Sequence, residues 1–507
     1  MKLNNMKIYI HAVLFALALS GCSLVYDPVD TYSDVTEGYE EESEKIAFKD
    51  KAAVESHLKT LYRQMKDRQE HWYIDLLLLS ESHSDNAYAG TTGAEVLPFE
   101  NNSIEGSNSV LQRDWERYME DVGRANKLIV NIDSVQDDSF TSEERQSVKA
   151  QALIFRSLVY FDMVRIWGNI PLILTEAGDI TSETIGEVFD EYFPAQSSES
   201  EVYEQIEVDL LEALNYAPDN DAADKTKFSK SVAKAMLAKI YAEKPIQNYE
   251  KVIQYIDELE EDGFDLNEDF SDLFAMNGDN SDIKIRNTQE SILEVQFFPG
   301  SGNWASWMFG RNLVNWDENF TWAKWVTPSR DLISLFQTEG DEIRFKESVV
   351  YYKTTWSNYY PSDNYPFMYK LRSGVNSIIK LRYADLLLLK AEALIMKDNP
   401  NLNEAAEIIN KIRKRVELSP LNASEKSNKE SLLKALLKER RLELAFEGQR
   451  WFDLVRLDKV EEVMNAVYAK DPGRKNQVYL YNEFSYKLAI PQTVIDQNSK
   501  IEQNPGY

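Results

Sequence analysis

The chain has 507 residues, with 56 lysines and arginines against 85 aspartates and glutamates, so its formal net charge at pH 7 is -29. A surface with this much negative charge repels nucleic acid and anionic lipid headgroups, which excludes a nucleic-acid-binding protein. A hydrophobic content of 43% with 12% aromatic residues is typical of a soluble globular body with a large core. The single cysteine excludes a disulfide within the chain.

The first residues have the pattern of a secretory signal peptide. Lys2 and Lys7 supply positive charge, and the apolar run at residues 8–19 is shorter than the roughly 20 residues of a membrane-spanning helix. The tetrapeptide LSGC that ends at Cys22 resembles the bacterial lipobox, in which the cysteine sulfur receives a lipid before cleavage makes the cysteine the first residue. The alternative is an ordinary signal peptide with an accidental cysteine.

We therefore predict a signal peptide at residues 1–21 and a lipid on Cys22 as the membrane attachment. Residues 27–44 are acidic and nearly free of aliphatic side chains, which indicates that residues 22–44 form a flexible tether. Loss of two lysines with the signal peptide moves the formal charge from -29 to -31. The remaining residues, 45–507, are predicted to form a single domain.

Helical periodicity dominates two parts of this domain. Between residues 150 and 164, apolar side chains recur at spacings of three and four, and Gly168 and Pro171 predict a helix end near Trp167. A second helix is predicted over residues 229–243, followed after Pro245 by another that ends before Gly263. Two amphipathic helices within about 35 residues are typical of a tetratricopeptide-like pair.

A comparable pair of helices is predicted at residues 383–396 and 404–415, so the pairs repeat but not in tandem. The helical scaffold thus comprises about 45–263 and 377–507. Residues 264–376, which we call the aromatic insertion, have weak helical periodicity and recurring glycine and proline, and their run at 292–297 predicts a short strand. The predicted fold class is mainly α, with a long irregular insertion that contains short strands.

The aromatic insertion is rich in tryptophan. Six of the ten tryptophans lie in residues 304–356, where an even spread would place about one. They are Trp304, Trp307, Trp316, Trp322, Trp325 and Trp356, and six tyrosines lie close by. Rings interleaved with amide and charged side chains suit a carbohydrate, because sugar C–H faces stack on rings and hydroxyl groups need hydrogen-bond partners. The alternative is that most of these rings pack the insertion onto the helices, although at least two exposed rings are expected.

Motifs of catalysis and metal binding are not found in the sequence. There is no nucleophile elbow, phosphate loop, zinc-protease helix or cysteine cluster. Residues 265–269 begin like a calcium loop, but Phe270 replaces the required glycine and Met276 replaces the closing glutamate. With 85 carboxylates, a glycosidase pair can be neither supported nor excluded by counting. We predict no enzyme activity, no cofactor, no catalytic residue and no metal ligand.

Four separated segments, in the same order along the chain, resemble the SusD/RagB family of nutrient-binding outer-membrane lipoproteins. Residues 439–456 (ERRLELAFEGQRWFDLVR) resemble the late family signature. The other segments are 156–174 (RSLVYFDMVRIWGNIPLIL), 381–394 (LRYADLLLLKAEAL) and 504–507 (NPGY). The resemblance implies a SusD-like body of tetratricopeptide-like pairs, an outer-membrane lipid anchor at the cell surface, and a SusC-like TonB-dependent β-barrel transporter as partner.

The resemblance also implies a ligand site. The family's variable, ligand-contacting loops correspond to the aromatic insertion, so the candidate ligand-binding rings are Trp304, Trp307, Trp316 and Trp322. The segment HSDNAY at residues 83–88 resembles the second family loop that lines the site. It adds Asp85 and Asn86 as candidate partners for hydroxyl groups and Tyr88 as a candidate ring.

The signature segment itself has a structural interpretation. Glu439, Glu443 and Glu447 are spaced by four residues on one helical face, which costs energy unless cations intervene. Arg440 and Arg450 each stand three positions from one of these glutamates. We expect a semi-buried ionic network that also includes Arg441 and Asp453, with a turn at Gly448.

The sequence thus predicts a cell-surface lipoprotein that binds a glycan or oligosaccharide and presents it to a TonB-dependent transporter without chemistry. Two alternatives remain open. One is a peptide-capturing, RagB-like member of the same family, and the other is a surface glycosidase. Nucleic acid is not expected as a partner.

Overall fold

The computed structural model describes residues 47–178, 184–300, 302–310, 312–319, 325–475 and 477–507. The predictions for the signal peptide, for Cys22 and for the tether lie outside these residues, as does Trp322. The helices before the aromatic insertion are α1 (Lys51–Asp67), α2 (Asp75–Leu77), α3 (Leu97–Asn101), α4 (Ser109–Asn131), α5 (Ser142–Trp167), α6 (Ile185–Tyr192), α7 (Glu199–Tyr216), α8 (Lys230–Ala242) and α9 (Tyr249–Glu261). Short π-helical turns at Glu70–Ile74 and Leu78–Ser82 flank α2.

The aromatic insertion and the chain after it complete the described structure. The insertion contains α10 (Ala305–Phe309), α11 (Arg330–Glu339) and α12 (Glu342–Ser348), and the last part of the chain forms α13 (Tyr383–Met396), α14 (Leu402–Arg415), α15 (Lys429–Glu443), α16 (Arg450–Arg456), α17 (Val460–Lys470) and α18 (Gln492–Gln497). The strands are β1 (Ala87–Tyr88), β2 (Ser291–Val295), β3 (Thr327–Pro328), β4 (Val349–Tyr352), β5 (Tyr365–Met368) and β6 (Ile378–Arg382). The fold class is mainly α, as the sequence predicts.

Helix α5 lies at the centre of the scaffold. Its N-terminus is closed by a capping box between Thr141 and Glu144, and it ends at Gly168, whose φ of 75° is easily adopted only by glycine. The sequence predicts one apolar stripe, but every side chain from residue 152 to 167 is buried. The reason is that α5 packs against α1, α4 and α7 together, so each of its faces meets another helix.

Neighbouring helices continue the stack on both sides of the insertion. Helix α7 packs against α8, and α8 against α9, which confirms the predicted helix pair before Gly263. Helix α13 then packs against α9, although the whole insertion separates them in sequence, and it also contacts α14 and α15. The second predicted pair therefore extends the same layer of helices as the first.

The strands form three small antiparallel sheets of two strands each within the described residues. Strand β2 confirms the strand predicted at 292–297, and it pairs with β6, so that Ser291 faces Arg382 across the sheet. This pairing joins a strand inside the insertion to the strand that directly follows the insertion. The insertion is less irregular than its sequence suggests, because α11 and α12 lie inside it.

Residues Phe48–Tyr507 form one compact unit. No helix among the described residues is both long and apolar enough to cross a bilayer. The predicted division of the domain into scaffold and insertion stays a prediction.

Candidate functional site

The glutamates of the signature segment are held by cations from distant parts of the chain. Glu439 in α15 accepts a hydrogen bond of 2.9 Å from Arg413 and lies 2.8 Å from a guanidinium nitrogen of Arg344. Glu443 accepts a bond of 2.7 Å from Arg382 and also pairs with Arg415. Burial alone would raise the pKa of Glu443, but the guanidinium groups of Arg415 and Arg382 lower this pKa well below its ordinary value.

The arginines of the same segment bind aspartates instead of the neighbouring glutamates. Arg440 donates hydrogen bonds of 2.6 Å to Asp385 and 2.8 Å to Asp453, and its side chain is 1% exposed. Arg450 binds both carboxylate oxygens of Asp85, at 2.8 and 2.9 Å. The predicted ionic network exists, but the sequence-based pairing of Arg440 and Arg450 with nearby glutamates is wrong because helix α15 faces charged partners on several other elements.

The segment at 83–88 belongs to this buried network. The Asp85 carboxylate is also within 3.2 Å of Arg441, and Asp85 and Asn86 are buried. Burial alone would raise the pKa of Asp85, but Arg441 and Arg450 lower it below its ordinary value. Asn86 accepts a hydrogen bond from Arg441 and donates one to Glu81, at 2.9 and 2.7 Å.

Tyr88 is also enclosed by protein. Its hydroxyl group donates to Asp471 at 2.6 Å, and its ring stacks on that of Tyr359 with centroids 4.8 Å apart. In this structure the polar atoms of Asp85, Asn86 and Tyr88 are engaged by protein groups. Their role as ligand contacts stays a prediction.

The tryptophans of the insertion differ in exposure. Trp307 in α10 is 48% exposed, Trp304 and Trp316 are half-buried, and Trp325 is buried. At least two exposed rings were expected, and among the five described tryptophans in residues 304–356 only Trp307 is largely exposed, while Trp304, Trp316 and Trp356 present part of their surface. Some of these rings therefore pack against protein while others are exposed, so neither of the two alternatives, packing or ligand contact, applies to the whole set.

Trp316 shows how the insertion holds a ring in place while leaving part of it accessible. It stacks on Tyr352 with centroids 5.2 Å apart and an interplanar angle of 16°, and its indole N–H donates to the backbone oxygen of Lys353 at 2.9 Å. Trp356 meets its edge at 6.3 Å, and the buried Phe367 lies beneath. A ring fixed on one face by such packing is preorganised for a ligand on the other face.

A strand pairing brings an exposed loop to the insertion. Strand β1 pairs with β3, so that Ala87 faces Pro328 and Tyr88 faces Thr327. Residues 91–95, which follow β1, are exposed or half-buried. Because β1 pairs with β3 of the insertion, this loop begins beside the insertion. We call the partly exposed tryptophans Trp304, Trp307 and Trp316 together the aromatic surface, and they are the candidate functional site.

Comparison with known proteins assigns the scaffold. A model described as the SusD family matches residues 369–507, and a model described as starch-binding associating with outer membrane matches residues 38–242. The chain belongs to the SusD/RagB family. Neither match includes residues 243–368, which contain most of the aromatic insertion, so the family is recognised by its helical body and not by its candidate ligand surface.

Individual family relatives cover nearly the whole chain. The SusD-like protein P2 of Formosa agariphila is 26% identical over 548 aligned residues, which cover 99% of this chain and 100% of that protein. A SusD superfamily protein from Bacteroides vulgatus superimposes with a TM-score of 0.73 at 20% identity, covering 90% of this chain and 99% of that one. Surface glycan-binding protein A from Bacteroides thetaiotaomicron, solved in complex with laminarihexaose, superimposes with a TM-score of 0.69 at 18% identity and the same coverage. These structures share the fold.

One exposed ring of the insertion is missed by the sequence-based reasoning. Phe298, just beyond β2, is 45% exposed, and the guanidinium group of Arg286 lies 4.3 Å from its ring centroid. The prediction of candidate rings used tryptophan and tyrosine, although Phe297 and Phe298, which follow β2, are aromatic as well. The guanidinium group is attracted to the ring face and helps to hold this exposed ring in place, so Phe298 joins the rings to be tested by substitution.

The interior contains a cavity that is distinct from the aromatic surface. Its volume is about 80 Å³, and its walls include Trp72, Lys239 and Lys380. Lys380 donates to Asp162 at 2.9 Å, and Lys239 is paired with Asp385, so these cations are neutralised by protein carboxylates. Most of the other lining side chains are apolar, and the volume is large enough for a few water molecules beside the two lysines. No cluster of three potential metal ligands occurs among the described residues.

Proposed function

We propose that this protein is a lipid-anchored glycan-binding protein of the cell surface, which captures an oligosaccharide on the aromatic surface and passes it to a SusC-like TonB-dependent β-barrel transporter without chemistry. The observation that carries this proposal is the combination of the exposed Trp307 with the half-buried Trp304 and Trp316 on the insertion of a SusD/RagB scaffold. Trp322 remains a candidate fourth ring. The solved relative with bound laminarihexaose supports a carbohydrate as ligand class and makes β-glucans the first ligands to test.

A glycan array with parallel peptide-library screening tests the ligand class. We expect binding to at least one glycan family, and isothermal titration then gives its affinity. Binding to peptides but to no glycan would support the alternative of a peptide-capturing member. A sensitive reducing-sugar assay on each bound glycan tests the third candidate, since a glycosidase releases new reducing ends and a binding protein does not.

Anchoring and partnership need their own tests. Cys22→Ala is expected to abolish labelling with a fatty acid analogue and to move the protein from the membrane fraction, because the thiol is the acceptor of the lipid. A mutant that still labels would contradict the anchor.

Mild-detergent extraction is expected to recover a β-barrel transporter with the protein, since stable interfaces of this kind bury well over about 1,200 Å². Repeated recovery of the protein alone would count against the partnership.

A further inference from the structure

A concave surface that shares no residue with the aromatic surface lies beside the C-terminal part of the chain. It is a groove of about 720 Å³ between residues 102–107 and the C-terminal segment, and we call it the C-terminal groove. Four of its lining side chains are large, apolar and exposed. They are Tyr479, Leu480, Phe484 and Tyr507, with exposed fractions of 61%, 71%, 47% and 42%.

The position of these side chains is set by specific backbone contacts. The N–H group of Val478 donates to the backbone oxygen of Asn101 at 2.8 Å, and the side chain of Asn102 donates to the backbone oxygen of Tyr479 at 2.9 Å. Asn482 accepts from the N–H group of Phe484 at 2.9 Å and so caps the short helical turn that carries this ring. The rings therefore project from a backbone segment that is tied to the body of the protein.

Two glycines allow the walls of the groove to approach each other. Gly506 has a φ of 100°, and a Cβ atom at this position would lie 2.8 Å from Cβ of Phe484. A Cβ atom on Gly106 would lie 2.8 Å from the backbone oxygen of Ile490. Any larger residue at either position would push the walls apart, so the shape of the C-terminal groove depends on residues without a side chain.

The chemistry of the lining matches a carbohydrate chain. Exposed rings supply faces for stacking on sugar C–H groups, and polar side chains from both walls, including Glu105, Ser107 and Asn482, are exposed beside them. The groove is concave and mixes rings with hydrogen-bonding groups, whereas a protein-docking surface is flatter and has a continuous apolar centre. Its volume lies within the range of small-molecule sites.

We infer that the C-terminal groove is a second carbohydrate-binding site, separate from the aromatic surface, which takes a short neutral oligosaccharide with Tyr479 and Phe484 as stacking platforms. This inference rests on the proposed function for its ligand class. The negative charge of the protein disfavours an anionic sugar, because Glu105 and Glu483 stand exposed beside the rings.

The test uses the mature protein with laminarin, laminarihexaose, starch and xylan as probes. We expect the double variant Tyr479→Ala/Phe484→Ala to bind its glycan roughly three- to tenfold more weakly, and to abolish the residual binding that remains in a Trp307→Ala background. The matched control is Phe189→Ala/Tyr216→Ala, which removes two rings of similar exposure, 50% and 42%, outside the groove and leaves binding unchanged. Melting temperatures of both double variants are expected to stay near that of the parent.

A second variant blocks the groove without removing its rings. Ser107 is exposed on the wall, so Ser107→Trp fills the space and is expected to weaken binding by a similar factor. Unchanged affinity in both groove variants, with loss of binding in Trp307→Ala, would overturn the second site while leaving the proposed function intact. No glycan binding by the parent would overturn both. Unchanged glycan binding with loss of transporter co-purification would reassign the groove to protein docking.

Discussion

The signature helix α15 and the aromatic insertion are both chemically conspicuous, yet they differ in what their side chains contact. The charged groups of the signature segment in α15 and α16 are buried and paired, as when Arg440 binds Asp385 and Asp453 at 1% exposure. Rings of the insertion are divided between packing and solvent, with Trp325 at 8% exposure and Trp307 at 48%. Residues that identify a family can therefore be those that stabilise its fold, and they need not lie on the surface that a ligand contacts.

Arg440→Met is expected to have the largest effect, because it removes one of the two cations that bind each of two buried aspartates. Asp385 keeps Lys239, and Asp453 keeps Arg456. We expect a loss of about 3 to 5 kcal/mol in the free energy of unfolding, measured by urea denaturation. The control on the same helix is Lys434→Met, whose side chain is exposed and whose replacement should change stability by less than about 0.5 kcal/mol. Equal stabilities for the two variants would show that the buried network contributes little.

Asp85→Asn tests whether Asp85 stabilises the fold or contacts a ligand, since Asp85 is also a predicted ligand residue. Its removal breaks the bidentate pair with Arg450, and we expect a loss of about 3 kcal/mol in unfolding free energy. The folded variant should bind glycan with the affinity of the parent. Asp219→Asn, at a side-chain exposure of 85%, is the control. A variant with normal stability and weakened binding would show that Asp85 contributes to the ligand site.

The buried carboxyl group of Glu81 is expected to make the free energy of unfolding depend on pH. Burial raises the pKa of its carboxyl group to about 7, against the opposing hydrogen bonds from Asn86 and from the N–H group of Gly448. Because the folded-state pKa lies above the ordinary value of 4.5, the stability contributed by this group is full below about pH 4.5 and is lost as the pH rises through 7.

The measurement is the difference in unfolding free energy between the parent and Glu81→Gln at pH 5 and pH 8. We expect the parent to lose up to about 3 kcal/mol relative to the variant between these pH values. Glu430→Gln, at an exposed helix start, should show no such change. A difference for Glu81→Gln that is the same at both pH values would contradict the raised pKa.

Trp307→Ala is expected to have the smallest effect on stability and a direct effect on function. Replacing a ring at 48% exposure should change unfolding free energy by less than about 0.5 kcal/mol, while loss of stacking weakens glycan binding by about 0.5 to 1.5 kcal/mol. Trp325→Ala is the matched variant of a buried ring and should lose about 3 to 5 kcal/mol of stability. If Trp307→Ala melts early and binds normally, the ring is structural and the aromatic surface lies elsewhere.

Much of the scaffold was predictable because helix signals are local. The end of α5 at Gly168 follows from a glycine with positive φ, and the two helix pairs follow from apolar spacing and Pro245. Helices α11 and α12 of the insertion were missed, because weak periodicity over the whole segment concealed two short helices that tertiary packing stabilises. The C-terminal groove was missed too. Tyr479 and Phe484 are close in sequence, but only the fold brings residues 102–107 and Tyr507 beside them.

Composition, local spacing and motif order were enough to predict the helical class of this protein, the order of its helix pairs, its surplus of negative charge and its resemblance to the SusD/RagB family. Which charged and aromatic groups are buried is evident only from the fold. Asp85 and Trp307 are equally plausible ligand residues in the sequence, but Arg450, which lies 365 residues further along, encloses the first. Exposure is a property of contacts between distant segments, and local sequence does not encode those contacts.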